Sequence, residues 1–180
     1  MERYGGKKKE SFDPFSVLEE VREGVRLDLG MICLSESEVK MITLVLKGEI
    51  PAEDLATLVY QALTVGIGLE QSLKEYMVLR SQIDQPMDPK PKMPEIAVLN
   101  LSYTYMGNTA IEVLSDLVQM EGSLLRTIDI SFCAIDERGC IVLAKALKRR
   151  RRKGIAPLRG LMISGNHISQ KGAKILGRAL

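Results

Sequence analysis

The chain has 180 residues, of which 46% are hydrophobic and 27% charged, a balance typical of globular proteins and unlike that of disordered ones. Its 25 lysines and arginines exceed its 23 acidic residues by only two, so no strong overall field draws the protein to nucleic acid or to a membrane. Three cysteines without CxxC spacing argue against a disulfide framework, and no apolar run approaches the ~20 residues of a membrane span. The first residues lack the apolar segment of a secretory signal, so we expect an intracellular, cytoplasmic protein, with a cytoskeletal or nuclear place left open.

The first 47 residues predict a tail followed by a cap. Residues 1–12 include three consecutive lysines and are expected to form a disordered basic tail. Asp13 and Pro14 form a good cap and first-turn pair for a helix over about 14–23. A short strand is expected next, and Ser35 with Glu38 forms a capping box for a helix over about 36–47. We assign residues 13–47 to an N-terminal cap.

The next segment is helical in pattern and contains no predicted strand. Pro51 begins one helix, and apolar residues at helical spacing continue from about Leu69 to Ile83 as a second. Residues 48–84 are therefore assigned to a helical insertion. Residues 85–94 contain four of the seven prolines and are expected to form an extended connector.

From residue 95 onward, one pattern occurs three times. The form LxxLxLS recurs at 96–102, 125–131 and 158–164, with the central positions 29 and 33 residues apart. The period-2 part predicts a strand, and the apolar spacing after the turn predicts a helix. Stacking of such units makes a parallel sheet covered by a row of helices. Residues 27–46 align without gaps on 128–147 and represent either a degenerate fourth copy or a plain strand–helix cap.

These units resemble leucine-rich repeats of the ribonuclease-inhibitor-like class, which have the form LxxLxLxxN, then a turn, a glycine and a helix ending in xxAL. The best copy covers residues 158–180. The resemblance implies an α/β leucine-rich-repeat solenoid of short parallel strands and outer helices over 95–180, preceded by an α-helical N-terminal region. It also implies that Asn166 bonds to neighbouring backbone at the bend after its strand. Cys133 stands in the same slot as a substitute, whereas Thr104 departs from the pattern.

Little in the chain points to catalysis. His167 is the only histidine and is expected to be a surface turn residue. Cys33, Cys133 and Cys140 are expected to be small buried apolar residues without a nearby base. The common phosphate-binding, nucleophile and zinc motifs are missing. We therefore expect that the protein is not an enzyme and that it binds no metal, cofactor or small-molecule substrate.

The resemblance also implies a recognition surface on the concave side of the strands. The residues expected to line it are Asn100, Ser102, Tyr103, Asp129, Ser131, Phe132, Met162 and Ser164. Tyr103 and Phe132 occupy the same slot in adjacent units, which Gly165 fills in the third. An exposed aromatic pair suits a protein interface. The alternative is that the two rings pack against the helical insertion.

A run of six cations is the strongest local feature after the repeats. It consists of Lys148, Arg149, Arg150, Arg151, Arg152 and Lys153. The run coincides with the four extra residues of the longer spacing, so we expect an inserted basic loop. Such a loop could be merely solvated, could contact an acidic protein or a nucleic acid such as RNA, or could act as a nuclear transport signal.

The expected function is that of a non-enzymatic leucine-rich-repeat adaptor or scaffold that joins proteins in a larger intracellular assembly. The last apolar residue, Leu180, is followed by no polar closing unit, so either other subunits cover that end or the chain is a fragment of a longer solenoid. The alternative function is a nucleic-acid-associated subunit, ribosomal for instance, anchored by residues 148–153. A regulator of a small GTPase or a hydrolase would need an essential polar side chain in a cleft, and the sequence marks none.

Overall fold

A computed structural model describes residues 24–32, 34–66, 68–82 and 95–180, together with Asp13 and Glu19. The predicted basic tail, the proline-rich connector, Cys33 and all but one residue of the predicted helix over 14–23 lie outside the described residues.

The fold of the described residues is α/β, with a single four-stranded parallel sheet whose strands follow chain order. The strands are β1 (Val25–Asp28), β2 (Ile96–Asn100), β3 (Thr127–Asp129) and β4 (Gly160–Met162). The helices are α1 (Glu36–Leu46), α2 (Ala52–Val65), α3 (Leu69–Gln82), α4 (Gly107–Val118), α5 (Glu137–Arg152) and α6 (Gln170–Gly177).

The strand register aligns the central residues of the sequence pattern. Leu27 pairs with Leu99, Leu99 with Ile128, and Ile128 with Leu161 across neighbouring parallel strands. The prediction that the three sequence repeats place Leu99, Ile128 and Leu161 on neighbouring parallel strands is thus confirmed. Leu27, Leu99 and Ile128 are at most 1% exposed, because the period-2 alternation turns them and the residue two positions later toward the helices.

Four helices, α1, α4, α5 and α6, pack side by side over the sheet. Ser35, Asp136 and Ser169 are the N-caps of α1, α5 and α6 at equivalent positions, each eight residues after the paired core residue of its strand, whereas the N-cap of α4 is Met106, whose side chain makes no cap hydrogen bond. Each cap side chain accepts a hydrogen bond from a backbone N–H of the first turn, which satisfies a donor that the helix itself leaves unpaired. The capping box predicted at Ser35 and Glu38 is confirmed.

Helices α2 and α3 form an antiparallel pair that packs on α1. The Ser72 hydroxyl donates to the carbonyl oxygen of Leu58 over 3.1 Å, and the Tyr76 hydroxyl donates to the Asp54 carboxylate. The two helices expected after Pro51 are therefore present. No helix in the described part of the chain combines the length and apolar character of a membrane span.

The prediction of an inserted loop at residues 148–153 is wrong, because α5 continues through Arg152. The extra residues lengthen the helix to 16 residues, against 12 in α4. Arginine and lysine are good helix formers, and cations in a last turn interact favourably with the helix dipole. The chain reverses only at Gly154, which adopts a left-handed φ of 69°.

Candidate functional site

The bend after each strand contains one residue with left-handed backbone at the same position, four residues after the paired core residue. These residues are Met31 (φ 67°), Tyr103 (φ 60°), Phe132 (φ 56°) and Gly165 (φ 67°). We call this row the aromatic ridge. Only glycine adopts that conformation without a steric cost, which is roughly 1 kcal/mol for other L-residues.

Backbone hydrogen bonds continue the sheet into the bends and fix the spacing of the ridge. The first three residues of the ridge each donate the backbone N–H to the carbonyl oxygen of a serine in the next unit. The pairs are Met31 to Ser102 (2.7 Å), Tyr103 to Ser131 (2.9 Å) and Phe132 to Ser164 (2.8 Å). Neighbouring members of the ridge are therefore held at the strand-to-strand distance, about 4.8 Å, which suits ring stacking.

The rings of Tyr103 and Phe132 are stacked, with centroids 4.3 Å apart and planes 8° from parallel. The other face of the Phe132 ring lies against Gly165. Tyr103 remains 41% exposed, Phe132 38% and Met31 49%. The ridge thus exposes three large apolar side chains, two of which are stacked rings.

Several predicted contact residues serve the bends themselves. Asn100 accepts a hydrogen bond from the backbone N–H of Ser102 (3.0 Å), and Asp129 accepts one from Ser131 (2.9 Å). Asp28 makes the same contact with Gly30 in the first unit (3.1 Å). The exposed members of the predicted surface are Tyr103, Phe132, Met162 and Ser164, whereas Asn100, Ser102 and Asp129 are half-buried and Ser131 is buried.

Asp28 carries the most strongly bonded carboxylate of this surface. Burial tends to raise its pKa, but hydrogen bonds from Arg26 (2.6 Å), Gly30 and Asn100 (2.7 Å) outweigh burial and hold the pKa below its ordinary value. The carboxylate therefore stays ionised and anchors the first bend.

Asn166 makes the backbone contacts expected of it. Its carboxamide oxygen accepts from the N–H groups of Cys133 (2.9 Å) and Ile135 (3.0 Å). Its nitrogen donates to the carbonyl oxygens of Ile130 (2.8 Å) and Ile163 (2.9 Å). All of its hydrogen-bonding capacity thus goes to the bends of two neighbouring units.

Cys133 and Thr104 reproduce parts of this arrangement with shorter side chains. The Cys133 thiol donates to the carbonyl oxygen of Leu101 over 3.0 Å, and the Thr104 hydroxyl donates to the same oxygen over 2.7 Å. The two side chains also contact each other at 3.5 Å. Thr104, although it departs from the sequence pattern, therefore still bonds the bend.

Arg150, which the sequence predicted to lie in an inserted basic loop, is a buried structural residue. It is 1% exposed, and its guanidinium donates to the carbonyl oxygens of Val118, Leu125 and Ala156, each over 2.7 Å. Burial, and secondarily the nearby Arg126, lowers its pKa. Its position three residues after Leu147, on the core face of α5, is the signal that could have identified it.

The other five cations of the run are exposed. Arg149 donates to the Gln119 side chain over 3.3 Å, and Lys153 pairs with Glu121 at 3.5 Å. Arg151 donates to the carbonyl oxygen of Leu180 over 2.7 Å. The five cations remain accessible to solvent despite these surface contacts, whereas the Arg150 guanidinium is inaccessible.

The described cysteines and the histidine lie in different elements, Cys133 in the bend after β3, Cys140 in α5 and His167 in the bend after β4. Cys133 and Cys140 are buried, and burial raises the pKa of both thiols, which keeps them protonated and poorly nucleophilic. His167 is exposed in the bend after β4. Within the described residues, no group of histidine, cysteine and acidic side chains is arranged to hold a metal ion.

No protein-family model matches the chain, and no curated protein matches it closely enough to count as a relative.

Proposed function

We propose that this chain is a non-enzymatic interaction module, a leucine-rich-repeat adaptor or scaffold subunit of the ribonuclease-inhibitor-like class that joins other proteins in a larger assembly. The support for a repeat architecture is the equivalence of the four strand–helix units in register and bend conformation, and of three of them in helix capping. The hydrogen bonds of Asn166 to two successive bends agree with it.

The observation that carries the proposal is the exposed aromatic pair in left-handed backbone. Glycine would relieve the conformational cost at Tyr103 and Phe132, and Gly165 occupies the equivalent bend. Strain at a bulky, exposed residue is characteristic of positions kept for a function. Large aromatic side chains with polar neighbours are also the typical anchors of protein interfaces.

Glycine substitutions separate this function from folding. In the variant Tyr103→Gly/Phe132→Gly, relief of backbone strain offsets the lost stacking, which is worth about 0.5–1.5 kcal/mol, so stability changes little. We expect the variant to fold but to lose its protein partners. The measurement is affinity purification from the native cell at two salt concentrations, with partner amounts quantified. The matched control, Tyr60→Ala/Val78→Ala, removes two exposed apolar side chains from α2 and α3.

The expected result is a loss of at least about tenfold in captured partner for the glycine variant and little change for the control, at both salt concentrations. Retention of all partners by the glycine variant would refute the ridge as the interface. A nucleic-acid-associated subunit, the alternative function, predicts the opposite pattern. Its partners would leave at high salt and remain bound to the glycine variant.

A further inference from the structure

The net charge of the chain is only +2, but positive and negative residues are unevenly distributed along the sequence. Residues 137–180 contain 12 of the 25 lysines and arginines but only one acidic residue, Glu137. Residues 1–136 contain the other 13 cations and 22 acidic residues. The local field around α5 and α6 is therefore strongly positive even though the whole chain carries only +2.

Helix α5 places five of its six exposed cations on a single face. At 100° per residue, these five fall within an arc of about 100° that extends about 21 Å along the helix axis. They are Arg138, Lys145, Lys148, Arg149 and Arg152, whereas the sixth, Arg151, lies outside the arc and donates to the carbonyl oxygen of Leu180. The opposite face, which contains Leu143, Leu147 and Arg150, is buried.

The helix on one side of this cationic face adds positive charge, and the helix on the other side is acidic. Helix α6, which packs against α5, adds the exposed cation Lys174, and its C-cap residue Arg178 is a second. Helix α4, on the other side of α5, has no lysine or arginine and exposes Glu112 and Asp116. Among the described residues, none of the cations Lys145, Lys148, Arg152, Lys174 and Arg178 forms an ion pair.

The composition of the face indicates what it can bind. No large apolar side chain of α5 or α6 is exposed, so the face lacks the anchors that insert into a bilayer and those that form the centre of a protein interface. It also lacks the aromatic rings on which single-stranded bases stack. A regular polyanion with accessible phosphates needs only cations.

We propose that the cationic face of α5 and α6 binds the phosphate backbone of double-stranded nucleic acid without sequence preference. The surface differs from the aromatic ridge, which lies at the bends on the strand side, and does not depend on it. Arg150 has no part in the contact because its guanidinium is buried. Arg138 and Lys145, outside the basic run, do contribute.

The test is the affinity of the full chain for a fluorescent 20-base-pair DNA duplex, measured by anisotropy between 50 and 300 mM salt. Four or five phosphate contacts predict that log K falls with log salt with a slope of about −4. The variant Lys148→Gln/Arg152→Gln should lower the affinity at least about tenfold at 0.1 M salt and reduce the slope by about 2. An RNA duplex of the same length shows which helical form binds better.

The matched control is Lys40→Gln/Lys74→Gln, which removes the same charge from exposed positions of α1 and α3. It should change the affinity by less than about twofold. An equal loss in both variants would show that only net charge matters and would overturn the proposal. Tighter binding to a single strand, to polyglutamate or to phosphatidylserine vesicles than to either duplex would overturn it as well.

Discussion

The phenyl ring of Phe132 lies directly on the backbone of Gly165, so closely that a Cβ at position 165 would overlap the ring. Tyr103 stacks on the opposite face of the same ring. Because Gly165 has no side chain, the stacked pair of the two preceding bends can pack against its backbone through the Phe132 ring. The orientation of the aromatic ridge depends on a residue that contributes no side chain to it.

Gly165→Ala should displace the Phe132 ring and destabilise the fold by about 1–3 kcal/mol, because it adds both a clash and a left-handed alanine. Urea unfolding measures the stability, and near-ultraviolet circular dichroism reports the loss of stacking. Gly177→Ala is the control, since a Cβ there meets nothing within 4 Å and improves helix propensity at the end of α6. Equal stability of the two variants would contradict the proposed contact.

Arg150→Met should lower the free energy of unfolding by about 3 kcal/mol or more, because three carbonyl oxygens that accept from the guanidinium lose their donor. Arg150→Lys should recover only part of this, since one ammonium cannot span the three acceptors. Arg152→Met, two residues away on the exposed face, should change stability by less than about 0.5 kcal/mol. Chemical denaturation of the three variants checks the order.

Asn166→Ala removes all four hydrogen bonds between the side chain and the two bends. We expect a loss of about 2–4 kcal/mol in the free energy of unfolding, because these half-buried backbone groups have few other partners. The amides of Cys133 and Ile135 should also exchange faster with solvent. The adjacent, exposed His167→Ala serves as control, and comparable losses in both variants would exclude a bridging role for Asn166.

The stabilising effect of Asp28 should depend on pH. Its pKa is lower in the folded protein than the ordinary value near 4, so its contribution is present above about pH 4 and is lost as the pH falls through the lowered value. Wild type should therefore be more stable than Asp28→Asn at pH 7, and the difference should shrink toward pH 3. Urea midpoints at both pH values measure it. A difference that does not change with pH would mean that the carboxylate charge has no stabilising role.

Local sequence patterns correctly predicted most of the described elements, the loop at residues 148–153 excepted. The alternation around Leu99 and Ile128 gave neighbouring strands, and the Ser35 capping box gave the start of α1. These features depend on side chains within a few residues of one another, so their periodicity and spacing can be read along the chain. The equivalence of Tyr103 with Phe132 followed from the same alignment, although their stacking did not.

The sequence by itself thus determined the strand–helix units and their order, because alternation, helical spacing and caps act between close neighbours. Only the tertiary structure decided which polar groups are used and which are exposed. Arg150 bonds carbonyl oxygens 25 and 32 residues earlier in the chain and is therefore buried in the last turns of a helix, where the sequence predicted an inserted loop. Likewise, Asn100 and Asp129 accept hydrogen bonds within their own bends, and five cations of α5 share one face only because the helix extends through Arg152.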